Sequence, residues 1–293
     1  MRERSGWLFI APALVTLAVL SVWPILHTVW MSLHRAILPI PWLGTPFVGL
    51  DNYRRLLADP ATRDALVTTI SFVVSSTALE ILLGLAFALV VNESFRGRGL
   101  TRAILLLPWA IPTVVSSQMW RLLLNDQYGL VNALIFGGDV VSYRAWLADP
   151  ETARACIVVA DVWKTTPFVA LVLLAGLQAI PRELYEAAAV DGAGRWQRFR
   201  HVTLPLLVPA IVVALLFRMI DAFRVFDLVF VLTQGGPADG TLVLQYYGYK
   251  RMFVEGQMGL GSAVAVLVFA VIATVAAVTL RVAGVGSRRG EGA

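Results

Sequence analysis

The chain has 293 residues, 58% of them hydrophobic and only 15% charged, with a mean hydropathy of +0.74. Such a composition excludes an ordinary soluble domain and points to an integral membrane protein. The net charge of +5 and isoelectric point near 9.7 do not indicate nucleic acid binding, because the basic residues cluster in short loops between apolar runs, where they set membrane orientation.

In chain order, Met1-Arg2-Glu3-Arg4 precedes an apolar run from Trp7 to Met31. This run is longer than the apolar region of a signal peptide and no small-residue cleavage site follows, so it reads as a retained first transmembrane helix, bent at Pro12 and Pro24. Residues 32–64, rich in proline and glycine, predict a small structured segment outside the membrane. Five further runs are each long enough to cross about 30 Å of hydrocarbon: Ala65 to Val91, Ala103 to Leu124, Ala155 to Ile180, Pro205 to Leu232 and Leu260 to Leu280. The expected fold is therefore an all-α membrane protein with six transmembrane helices and both ends on one side. Basic residues concentrate on that side: Arg2 and Arg4, then Arg96, Arg98 and Arg102, then Arg182, Arg195, Arg198 and Arg200, and finally Arg281, Arg288 and Arg289. The positive-inside rule places both termini in the cytoplasm and the acidic connection from Asn125 to Arg154 outside.

Charges inside the spans carry most of the functional information. Arg218, Asp221, Arg224 and Asp227 fall in the fifth run, and four charges facing lipid would cost roughly 10–14 kcal/mol. Spaced three apart, neighbours of opposite sign lie close enough to pair. Arg218 is about 20 Å along the run from Pro205, near the bilayer midplane. The antiparallel fourth run carries Asp161 and Lys164, so the two helices are expected to line a polar cavity walled by Phe168 and Phe223. Two roles fit these charges: contact with a substrate, or ion pairs that lock helices together, the second suiting Arg224 and Asp227 better. Glu80 is expected to pair with an arginine of a neighbouring helix, and Gln118 and Arg121 are further buried-polar candidates.

Reactive constellations are missing. The only lysines are Lys164 and Lys250, so there is no Gly-Lys pair and no phosphate-binding P-loop. His27, His34 and His201 are scattered, and the single Cys156, read as a small core hydrophobe, has no partner for a disulfide or a metal site. With no Gly-x-Ser-x-Gly motif either, the chain is not expected to be an enzyme by itself.

One polar stretch interrupts the apolar pattern, running from Arg182 to Pro205. Glu183 to Val190 predicts a short helix of good formers, ended at Gly192 and Gly194, with a second short helix over Arg195 to Val202. Its alanine face suits a groove on another protein. The residues Glu186-Ala187-Ala188, Asp191-Gly192-Ala193, Phe199, Leu204-Pro205 and Pro209 resemble the cytoplasmic EAA loop of ABC importer permeases, more narrowly the maltose-type sugar branch. Phe47 to Tyr53, Leu107 to Asn132 and Leu232 to Pro237 are similar to phrases of the same family.

The resemblance implies a type I ABC importer transmembrane domain over residues 62–283, with residues 1–61 as an N-terminal helix and external segment, 182–205 as the coupling loop and 284–293 as a cytoplasmic tail. It implies that Glu186, Ala187, Ala188, Asp191 and Gly192 dock on a separate ATPase. It also implies sugar contact by some of Asp161, Lys164, Thr165, Phe168, Arg218, Asp221, Ala222 and Val225. The expected partners are a second homologous permease, two ATP-binding cassette subunits holding ATP and Mg, and an external solute-binding protein. The expected substrate is a di- or oligosaccharide of the maltose or trehalose type. An importer of glycerol phosphate, bound by Lys164 and Arg218, stays open. A rival reading, an ion-coupled carrier relaying protons through Asp161, Asp221 and Glu80, lacks the internal repeats common in that class.

Overall fold

The structure is a computed structural model that describes residues 2–282; the predicted tail 284–293 lies outside them. All regular elements among the described residues are helical. α1 runs over Arg2–Leu17, widens into a π turn at Ala18–Val22 and resumes over Trp23–Ser32. α2 is Asp51–Ala58, α3 Pro60–Asn92, α4 Arg98–Ala110, α5 Thr113–Leu123, α6 Leu130–Phe136, α7 Pro150–Gln178 and α8 Arg182–Val190. α9 starts at Arg195–Arg198, passes through a π turn at Phe199–Thr203 and continues over Leu204–Phe223. α10 is Asp227–Leu232, α11 Leu244–Tyr249, followed by a π turn at Lys250–Val254, and α12 is Met258–Val282. Five of these helices are long and apolar enough to cross a membrane, or six when the bent pair α4 and α5 counts as one span.

Three predicted runs take a different form. Ala103 to Leu124 is two helices bent by 92° instead of one straight span. Ile111, extended at φ −75° and ψ 132°, precedes Pro112, and proline disfavours a helical residue before it. The run Pro205 to Leu232 breaks at Arg224–Phe226, so Arg218 and Asp221 share a helix while Asp227 opens the next. The predicted second short helix, Arg195 to Val202, is not separate; it is continuous with the span that follows. A proline inside a helix lacks an N–H and clashes with the carbonyl four residues earlier. For Pro24 and Pro205 that residue is Leu20 or His201, and each lies in a π turn that relieves the clash without breaking the rod.

The described residues form two compact units. The first joins residues 2–66 to Leu244–Val271. Its buried Asn52 donates to the carbonyls of Ser32 and His34 at 2.8 and 3.0 Å, ordering the connection after α1. Asp59 caps α3 through the amide of Ala61 at 3.0 Å and accepts from the Tyr247 hydroxyl at 2.7 Å and from Arg251 at 2.6 Å. Burial pushes the Asp59 carboxyl up, but donation from Tyr247 and Ala61 and the Arg251 charge outweigh it and hold the group below its ordinary value.

The second unit, Val67–Val243 with residues 272–282, holds the main core. Ala88 and Val91 of α3, Val169, Leu173 and Leu177 of α7, and Leu207 and Ala214 of α9 pack together. Small residues let these helices approach closely. A Cβ on Gly84 would lie 2.6 Å from Val169, and one on Gly176 2.5 Å from Ala210.

Gly176→Leu should therefore force α7 and α9 apart at a cost of about 1–3 kcal/mol, read as a lower unfolding temperature of the detergent-solubilised protein; an unchanged temperature would count against the close packing. Because Asp59 is depressed in the folded state, its contribution is present above the unfolded-state value and lost as pH falls through the folded one. Asp59→Asn should thus lower stability at neutral pH and flatten the decline below about pH 4 in an acid unfolding titration.

Candidate functional site

The site is built on α3, α7 and α9 of the second unit. The apolar run of α9 carries one guanidinium to its centre, Arg218, only 2% exposed. Glu80 of α3, fully buried, accepts from its Nε and, at 2.8 Å, from Nη2. Asp161 of α7 accepts from Nη2 at 3.0 Å, and Asp221, one turn further along α9, accepts from Nη1 at 2.7 Å. The Thr165 hydroxyl lies 2.6 Å from Glu80 Oε1 and from the carbonyl of Asp161. Every nitrogen of the guanidinium thus meets a carboxylate, a use of its planar fork that lysine cannot reproduce. The expectation that Glu80 pairs with an arginine of another helix holds, and that arginine is Arg218.

Beside this cluster lies a cleft of about 260 Å³. Asp161, Lys164, Thr165, Asp221, Ala222 and Val225 line it, so most of the predicted substrate residues come together. Asp221 is the most open of the cluster, with its side chain 72% exposed. Lys164 donates to the carbonyl of Ile111 at 2.8 Å, satisfying an acceptor that the bend between α4 and α5 frees. Two predicted residues do not line the cleft. Arg218 stands behind Asp161 and Asp221 and is occupied by them. Phe168 is turned towards Trp109 and Phe217, with ring centroids 6.0 and 6.1 Å away.

Further corrections follow from the broken helices. Phe223 is buried and does not line the cleft; the aromatic surfaces there belong to Trp109 and Phe226. Arg224 and Asp227, assigned above to structural pairing, make no ion pair among the described residues and line the cleft instead. Gln118 and Arg121 are exposed and not buried. Trp109, Thr113 and Phe226 were not anticipated as lining residues; the signal for the first two was the pair Pro108 and Pro112, which marks a break in an apolar run.

A second candidate surface surrounds α8. Its end is a Schellman motif: Ala193 N–H donates to the carbonyl of Ala188 at 2.9 Å and Gly192 N–H to that of Ala189 at 3.1 Å, with Gly192 at φ +80°. Glu186, Ala187, Asp191 and Gly192 are exposed, and Ala188 is half-buried at a groove of about 320 Å³ shared with Gln197 and Val202. Val190 and Trp196 are 88% and 70% exposed.

Arg218→Met would leave three carboxylates clustered without their counter-charge and should cost about 3–5 kcal/mol, seen as lost yield and a lower unfolding temperature. Arg218→Lys should rescue little, whereas Glu80→Gln combined with Arg218→Met should cost less than the sum of the two. Additive losses would sink the coupling.

The chain matches the family of binding-protein-dependent transport system inner membrane components over residues 80–283. It is 47% identical over 281 residues, 95% of this chain and 93% of the relative, to the trehalose/maltose transport system permease protein MalF of Thermococcus litoralis. It is 40% identical over 290 residues, 99% and 92% of the two chains, to the trehalose transport system permease protein SugA of Mycobacterium tuberculosis. Among solved structures, a bacterial ABC transporter involved in the import of the acidic polysaccharide alginate superposes with a TM-score of 0.80 at 25% identity, covering 99% of this chain and 97% of the other.

Proposed function

This chain belongs to the family of binding-protein-dependent transport system inner membrane components, and from that premise we propose that it is the permease subunit through which an ATP-driven importer passes a neutral disaccharide of the trehalose or maltose type. The observation that carries the substrate reading is the cleft beside Arg218. It sets acceptors on Asp161 and Asp221 and a donor on Lys164 against the rings of Trp109 and Phe226. Sugar hydroxyls need such donors and acceptors, and the apolar faces of sugar rings pack on aromatic surfaces. The near full-length similarity to permeases named for trehalose and maltose supports the same class.

A phosphorylated substrate fits less well. Arg218 is saturated by carboxylates, and Asp161, Asp221 and Asp227 line the cleft, where their charge opposes that of a phosphate. A proton relay through Glu80, Asp161 and Asp221 fits poorly too, because all three are tied to one permanently charged guanidinium.

The ATPase lies on another subunit. Glu186, Ala187 and Ala188 of α8, with Asp191 and Gly192 just past its end, are the docking contacts; the alanines permit close approach, and Val190 of α8 and Trp196 of α9 are exposed. The assembly comprises this chain, a second homologous permease, two ATP-binding cassette subunits and an external solute-binding protein. Both termini and α8 lie in the cytoplasm, following the distribution of arginines.

In the reconstituted complex with its binding protein, trehalose or maltose should raise ATP hydrolysis, and Asp221→Asn should weaken that stimulation while leaving assembly intact. Ala188→Trp should leave the complex hydrolysing ATP without net sugar uptake, measured with labelled sugar in proteoliposomes. Stimulation by glycerol phosphate but by neither disaccharide would overturn the substrate assignment.

A further inference from the structure

A polar cavity of about 670 Å³, separate from the cleft, lies where several spans of the second unit end. Arg98 and Arg182, the first residues of α4 and α8, line it together with Arg102. Glu93 is the single carboxylate among the lining residues. No ion pair involves Arg98, Arg102, Arg182 or Glu93 among the described residues, so the cavity carries a net positive charge. Arg102 spends one Nη on the carbonyl of Val91 at 3.0 Å, while its Nε is buried without a partner. A buried donor left unsatisfied is costly, and three guanidiniums around one carboxylate leave an excess of positive charge that an anion would offset.

Leu89, Leu177 and Ile180 supply apolar surface on the side of the spans. Tyr185 of α8 also lines the cavity, its hydroxyl 3.1 Å from that of Thr203. Guanidiniums present paired N–H groups that match phosphate oxygens. Basic pockets between transmembrane helices at the level of the head groups suit anionic phospholipids. We propose that this cavity binds a phosphate group, the head group of an anionic phospholipid being the source that its apolar wall accommodates. The bound group would touch Tyr185 on the same helix that carries the docking contacts, which makes lipid composition a regulator of coupling; that consequence rests on the reading of α8 given above.

The test uses the purified transport complex in phosphatidylcholine vesicles containing spin-labelled phosphatidylglycerol, with spin-labelled phosphatidylcholine as reference. A motionally restricted phosphatidylglycerol fraction, reduced about tenfold in affinity by Arg98→Gln with Arg102→Gln, is expected. Glu93→Gln should strengthen binding, which keeps the proposal testable if the double variant does not fold. Calorimetric titration of the detergent-solubilised complex with inorganic phosphate forms the second arm. Saturable heat there with no preference for the labelled lipid assigns the site to a free phosphate. Equal immobilisation of both lipids with no phosphate heat overturns the proposal, as does lipid preference unaltered by the double variant and by Glu93→Gln. Binding is read without sugar or ATP, so its failure leaves the permease reading standing, and failure of sugar-stimulated hydrolysis leaves this site standing.

Discussion

The second unit depends on a single buried guanidinium. Arg218 sits where a charge in hydrocarbon is expensive, and α3 and α7 must each deliver a carboxylate to it for the bundle to be tolerable at all. That requirement fixes the rotation of three helices about their own axes, because a helix turned away by one residue would strand either the cation or its partner. Apolar packing alone does not impose such a choice between chemically similar leucine and valine faces. The close approaches at Gly84 and Gly176 then set the spacing that the ion cluster orients.

Irregular backbone is used with the same economy. Where the chain bends sharply between α4 and α5, the freed carbonyl of Ile111 is capped by Lys164, so a helix break inside an apolar run is made tolerable by the polar lining it helps to create. The break after Phe223 brings Arg224, Phe226 and Asp227 to the same cleft. Both interruptions put aromatic and charged side chains beside Asp221, which a pair of uninterrupted helices would have spread along their lengths.

Much of this was legible in the residues. The apolar runs located the spans because hydrocarbon thickness dictates their length, and Glu183 to Val190, good helix formers ended at Gly192, marked the exposed helix α8. The intramembrane charges pointed to the cleft, since Asp161, Lys164 and Asp221 had no tolerable place facing lipid. What escaped was long-range geometry. Spacing by three suggested that Arg224 and Asp227 continue the helix of Arg218, yet the helix ends at Phe223. Phe168 lay on the expected element but turns towards Trp109 and Phe217, a choice that depends on where α4 bends. Periodicity reports which face of a helix is polar; it does not report where the helix stops or which ring its neighbour offers.

The π turn at Phe199–Thr203 has a mechanical meaning. Because it spares α9 a fracture at Pro205, the polypeptide from Arg195 to Arg218 is one shaft about 35 Å long at a helical rise of about 1.5 Å per residue. A rotation of that helix about its axis would carry Arg218 and Asp221 together and shift both against Glu80 and Asp161, which stand on α3 and α7.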